Sequence, residues 1–143
     1  MEEINNILET LIAQHRVLQK DLIDSLALSI LENPDIPQID AGMKKFLVDL
    51  PEHLNLENNI FYPNLLEKMK KKNIDTIKTE AFIAEMIIIG NAVMAFSDKY
   101  KTMPLIESQF DNFKKELSNI ISVLNTRIES EESGVYLYWG MYN

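Results

Sequence analysis

The chain has 143 residues, a formal net charge of -8, 46% hydrophobic and 25% charged residues, four glycines and five prolines. That length suits one domain (1-143) with a single core, the composition leans helical, and the acidic balance repels a phosphate backbone, so nucleic acid is not expected as a partner. The absence of cysteine excludes disulfides, iron–sulfur clusters, a thiol nucleophile and attached c-type haem, so any metal must be held by His, carboxylate or Met.

The N-terminal run MEEINNILETL is acidic where a signal peptide is basic, and it lacks a small-residue cleavage site after an apolar segment. The expected location is therefore the cytoplasm. Breakers then divide the chain into four predicted helices. The first runs from about Glu3 to Leu31 and ends at Asn33, Pro34 and Pro37. Its inward stripe is Ile4, Leu8, Leu11, His15, Leu18 and Leu22, at the spacings of three and four that bury one side of a helix. The second runs from about Ala41 to Lys72 and carries Met43, Phe46, Leu50, His53, Glu57 and Ile60. Its closing lysines, Lys68 to Lys72, favour the negative end of the helix dipole and read as a solvated terminus.

The third predicted helix, about Asp75 to Lys101, carries Phe82, Met86, Ile89, Val93 and Phe96. Its most apolar stretch, Ala81 to Phe96, has 16 residues including Glu85 and Asn91, short of the ~20 that span a bilayer. It reads as a buried helix, and no membrane association is expected. It is also apolar on more faces than one bundle seam requires, which a homodimer would bury. The fourth, about Pro104 to Ser133, carries Ile106, Phe110, Phe113, Leu117, Ile120, Leu124, Arg127 and Glu131. In the tail, residues 134-143, Tyr136, Tyr138, Trp139 and Tyr142 are crowded together. They are expected to cover one bundle end, with docking to a partner or second subunit as the alternative. Short connections between helices imply antiparallel neighbours, hence an all-α, up-down-up-down four-helix bundle.

Polar intrusions into the stripes are confined to His15, His53, Glu57, Arg127 and Glu131. A buried unpaired carboxylate costs several kcal/mol, so both glutamates need a cation or strong donors beside them. His53 and Glu57 stand at i and i+4, as do Arg127 and Glu131, so each pair leaves one helix face a turn apart.

The stretches LIAQHRVLQKDL, HLNLENNIFYPNLLEK and RIESEESGVYLYW resemble the hemerythrin, or HHE cation-binding, family. That family's pattern is a first-helix histidine, a second-helix His-x-x-x-Glu running into an aromatic-Pro segment, a third-helix histidine and a fourth-helix His-x-x-x-acid. The resemblance spans nearly the whole chain and departs at two positions. Met86 stands where the third-helix histidine is expected, and Arg127 replaces the fourth-helix histidine. Carried over residue by residue, it implies that His15, His53, Glu57 and Glu131 hold one metal, suited to iron, manganese or zinc, while the second metal's histidines are lost.

Arg127 cannot ligate a metal, and its guanidinium would place positive charge where the second ion belongs. Two opposite readings stay open. Arg127 preserves a mononuclear non-haem half-site that binds or senses iron or a small diatomic gas, or it replaces metal altogether in a metal-free interaction or regulatory module. The family's two-electron oxygen chemistry uses both irons, so oxygen carriage is not expected. Nor is an enzyme, for lack of a His-Glu-x-x-His helix, nucleophile elbow or glycine-rich phosphate loop. Glu85, Glu129 and Glu132 read as surface acids.

Overall fold

A computed structural model describes residues 2–142, with side chains from residue 7 onward; Ile4 of the first stripe lies outside the described side chains. The described residues are helical and contain no strand, as the composition predicts. Helix α1 spans Glu2–Ser29, α2 Ile36–Leu56, α3 Tyr62–Lys71, α4 Ile77–Lys99, α5 Met103–Ser108, α6 Phe110–Ser130 and α7 Tyr136–Met141. Wide five-residue π turns, Glu57–Phe61 and Glu131–Val135, join α2 to α3 and α6 to α7 without a break. Each long helix packs chiefly on two others: α1 on α2 and α6, and α4 on α2 and α6.

Local chemistry accounts for where the boundaries depart from the sequence reading. Pro37, expected as a breaker, instead lies in the first turn of α2, where a missing N–H is harmless, and the Asp35 carboxylate caps that turn by accepting from Gln38 N at 3.2 Å. The second helix therefore starts at Ile36 rather than near Ala41. The α3 terminus closes in a Schellman motif, with Asn73 at φ 57 and Ile74 N–H bonded to the Met69 carbonyl at 2.9 Å. The fourth predicted helix breaks at Gln109 into α5 and α6 and runs on through the aromatic tail to Met141.

The core differs from the expected single one, because the apolar residues form two clusters. One gathers Leu18, Leu22, Phe46, Leu50, Val93, Phe96, Phe113 and Leu124 among others. The second holds Leu11, Phe61, Tyr62, Leu65, Met69, Val135, Tyr136 and Trp139. Each buried Leu or Phe contributes roughly 1.5–3 kcal/mol. Tail residues Tyr136 and Trp139 thus pack in the interior, and Lys68 caps Trp139 with its ammonium 4.1 Å from the ring centroid. Along α1, α2 and α6, the residues that fall between the two clusters are the polar ones.

Helix α4 is not buried all round. Met86, Gly90, Val93 and Phe96 are buried, whereas Ile87 is 41% and Ile88 69% exposed. By length and composition the 23-residue helix could nevertheless cross a membrane: it contains an 18-residue stretch of mean hydropathy 1.5, of which 28% is buried.

Candidate metal centre

His15 on α1, His53 on α2, and Glu57 and Glu131 at the starts of the two π turns are all buried, and one ligand atom from each lies within 4.8 Å of the other three. Four ligands about 2.1 Å from a single ion lie about 3.4 Å apart in a tetrahedron, so these side chains would need to draw in by about an ångström. The glutamates reach the centre through neighbours four residues back. His53 Nε2 is 3.6 Å from Glu57 Oε2, and Arg127 Nε is 3.1 Å from Glu131 Oε1.

The histidines share an orientation. His15 Nδ1 lies 2.7 Å from Glu132 Oε2, and His53 Nδ1 lies 2.8 Å from Gln14 Oε1. Both partners are acceptors, so each ring carries its proton on Nδ1 and turns an Nε2 lone pair inward. His53 Nε2 has no hydrogen-bond partner although it is buried. It faces a cavity of about 10 Å3 lined by His15, Leu18, Leu50, Gly90, Val93, Arg127 and Glu131 among others, room for about one water-sized body.

Arg127 fills the side of the glutamates toward α4. Nη2 bonds Glu57 Oε1, Nε bonds Glu131 Oε1, and Nη1 donates to the Met86 carbonyl at 2.9 Å. Met86, where the resemblance leads one to expect a histidine, thus meets the guanidinium through its backbone carbonyl.

Two tyrosines complete the layer. The Tyr62 hydroxyl donates to Glu131 Oε2 at 2.5 Å, and the Tyr136 hydroxyl donates to Glu57 Oε2 at 2.7 Å. Each tyrosine follows a site glutamate by five residues on its own helix and bonds the other helix's glutamate. An unbroken α-helix would turn position i+5 away by about 140°. The π turns correct this: Tyr62 N–H bonds the Glu57 carbonyl and Tyr136 N–H the Glu131 carbonyl, each five residues back. Pro63, which lacks an N–H and whose ring crowds the carbonyl four residues back, favours the wide turn on the first. Gly134 eases it on the second.

The electrostatics leave the centre short of positive charge. Burial pushes Glu131 up to about 8, with hydrogen bonding and repulsion from Glu57 adding to it and Arg127 opposing. Burial works the same way on Glu57, yet His53, Glu131 and Arg127 outweigh it and hold that carboxyl below its usual range. The opposite directions describe one pair with a single extra proton on Glu131. Burial also lowers His15, against the pull of Glu132 and Glu57, so it is neutral at pH 7. Arg127 and the phenols supply a donor to every carboxylate oxygen; His15 Nε2 lies 3.2 Å from the Tyr136 hydroxyl, and His53 Nε2 is left without a partner.

All six residues singled out from the sequence, His15, His53, Glu57, Met86, Arg127 and Glu131, meet in this layer. Tyr62, Tyr136, Gln14 and Glu132 belong to it as well. Glu132, expected as a surface acid, is half-buried and bridges His15 and Arg16, while Glu85 and Glu129 are exposed. Comparison with known proteins gives no match: no family model, no curated protein and no solved structure is similar to this chain.

Proposed function

We propose that the chain is a metal-binding protein that holds one non-haem ion, iron in the first instance with manganese or zinc as alternatives, through His15, His53, Glu57 and Glu131. The observation that carries this reading is the shared orientation of the histidines, each tied outward through Nδ1 and presenting Nε2 to the two glutamates. Metal-bound histidines characteristically donate the other ring N–H in this way, which fixes the tautomer and raises ligand basicity. The orphaned His53 Nε2 and the shortage of positive charge support it. A bound ion would supply Lewis acidity and, as iron, one-electron redox chemistry. The chain's own residues orient the ligands, exclude bulk water and neutralise one carboxylate through Arg127. On this reading the fold is an up-down-up-down four-helix bundle of hemerythrin-like form, and the protein binds or senses iron or a small diatomic gas rather than turning over a substrate.

One observation favours a second reading, a metal-free regulatory or interaction module: Arg127 already bonds both glutamates and the phenols cover their remaining oxygens. Metal content separates the two. Protein expressed in iron-supplemented medium and purified without chelator or metal-affinity resin should carry about one metal per chain by plasma mass spectrometry. A His15→Ala, His53→Ala variant should carry none. A well-folded wild type without metal would leave Arg127 as the cation of the core.

A further inference from the structure

We infer that Tyr136 is a fifth ligand of this centre, its phenol oxygen binding the ion beside His15 and Glu57. The inference rests on the metal-binding reading above and adds a residue to it. The Tyr136 oxygen is 2.7 Å from Glu57 Oε2 and 3.2 Å from His15 Nε2, so it is within hydrogen-bond distance of two of the four candidate ligands. The Tyr136 and His15 rings stack within 8° of parallel at a centroid distance of 5.4 Å, and Phe61 packs edge-on against Tyr136 at 5.1 Å. The phenol is thereby held in the ligand layer by packing on its ring. The π turn is what delivers it there, because position i+5 after Glu131 faces the centre only through that wider turn.

Tyr62 supplies the comparison within the same molecule. Its hydroxyl also meets a site glutamate, yet its one site contact is Glu131 Oε2, and among the described residues it bonds no histidine nitrogen. Sequence position makes the two tyrosines equivalent, one after each glutamate. Of the two, Tyr136 alone reaches a histidine nitrogen, and it meets Glu57 at the oxygen that Arg127 does not bond. A hard phenol oxygen also suits a ferric ion already bound by two carboxylates and two imidazoles.

In the metal-free chain the Tyr136 proton caps Glu57 Oε2. When the oxygen–iron bond forms, the phenol O–H bond breaks and that proton leaves to solvent. The change frees Glu57 Oε2 as well as the phenol oxygen, and iron keeps its oxidation state. Metal binding therefore releases protons.

The test loads the full chain with ferric citrate, removes excess iron, and records iron per chain, visible absorption and resonance Raman spectra for wild type, Tyr136→Phe and Tyr62→Phe. Phenolate bound to ferric iron gives a visible charge-transfer band with ring-mode Raman enhancement, which a purely structural tyrosine cannot produce. Wild type and Tyr62→Phe should show both signals. Tyr136→Phe should lose them at saturating iron and hold iron roughly 10- to 100-fold less tightly against a chelator. If Tyr136→Phe does not fold, ring modes in both wild type and Tyr62→Phe still assign the band to Tyr136, the remaining phenol of the layer. Full iron loading without the band in wild type, or with the band intact in Tyr136→Phe, overturns the fifth ligand and leaves the four-residue site standing. Wild type that takes up no iron overturns both.

Discussion

Gly90 of α4 and Arg127 of α6 compete for one space: a Cβ on Gly90 would stand 2.8 Å from Arg127 Nη1 and 3.4 Å from Leu54 Cδ2. Gly90 is thus what admits the guanidinium between α4 and the glutamates. Gly90→Ala in mid-helix should otherwise stabilise by roughly 1 kcal/mol through helix propensity. Here the arginine head is pinned by three hydrogen bonds, and the methyl must break at least one. The expected outcome is a net loss of about 1–3 kcal/mol, read by urea unfolding. A more stable Gly90→Ala protein would mean that the guanidinium is free to move.

The partners on the outer side of the histidines should govern metal affinity beyond their effect on folding. Glu132→Ala and Gln14→Ala each remove an acceptor from an Nδ1–H, which should weaken metal binding roughly 10- to 100-fold. The metal-free protein should lose about 1–3 kcal/mol in Glu132→Ala, because the buried His15 N–H is left without its acceptor. The bond from Arg16 to Glu132 lies at the surface, where such pairs contribute about 0.2–1 kcal/mol. Competitive titration with a chelating dye measures the first effect and thermal melting the second. Unchanged affinity in both variants would mean that histidine orientation has no bearing on metal.

The polar layer was legible in the sequence because spacing alone puts His53 with Glu57 and Arg127 with Glu131, and the neighbouring stripe positions are apolar. What lay past each glutamate was not legible. Continuing the α-helical stripe from Glu57 points to Ile60, which is 47% exposed, while Phe61 and Tyr62 are buried. The π turn shifts the register by one residue, and the same shift hides Tyr136 from any count based on 3.6 residues per turn. Pro63 and Gly134 were the available signals. Gln14 and Glu132 escaped notice for a related reason. Each adjoins an inward residue in sequence and so reads as surface, yet each has a side chain long enough to reach over a helix edge to an imidazole.

The Glu57–Glu131 pair predicts how the metal-free protein responds to pH. Glu131 has a pKa of about 8 in the folded chain against an ordinary value of 4.5, so between those values the folded chain keeps a proton that the unfolded chain has released. Its contribution is full below the unfolded value and is lost as pH rises through the folded one. His15 acts oppositely: lowered from 6.5, it contributes above that value and is lost as pH falls. From about pH 7 to about pH 9 the Glu131 effect stands alone of the two. Thermal stability should decline over that interval in wild type, and Glu131→Gln, which keeps a neutral group, should flatten the decline. A Glu131→Gln protein that declines in parallel with wild type would place the proton elsewhere.

On the metal-binding reading, Arg127 and a metal ion are two cations for the same carboxylates, and removing the arginine asks whether the second can do the work of the first. Arg127→Leu strips Glu57 and Glu131 of their guanidinium partner while both stay buried. Breaking a buried pair by deleting one partner costs about 3–5 kcal/mol, so the metal-free variant should unfold at markedly lower urea. If the four ligands form a site, zinc should recover much of that loss, because an ion bound only by the folded state stabilises it by mass action. If the layer is a salt bridge with no metal role, zinc should leave the variant as unstable as before. Arg127→His combined with Met86→His goes one step further. Met86 is buried on α4 with its carbonyl 2.9 Å from the guanidinium; if imidazoles at the two positions reach the glutamates, metal per chain should rise from about one to about two. A count that stays at one would show that imidazoles at these positions complete no second site.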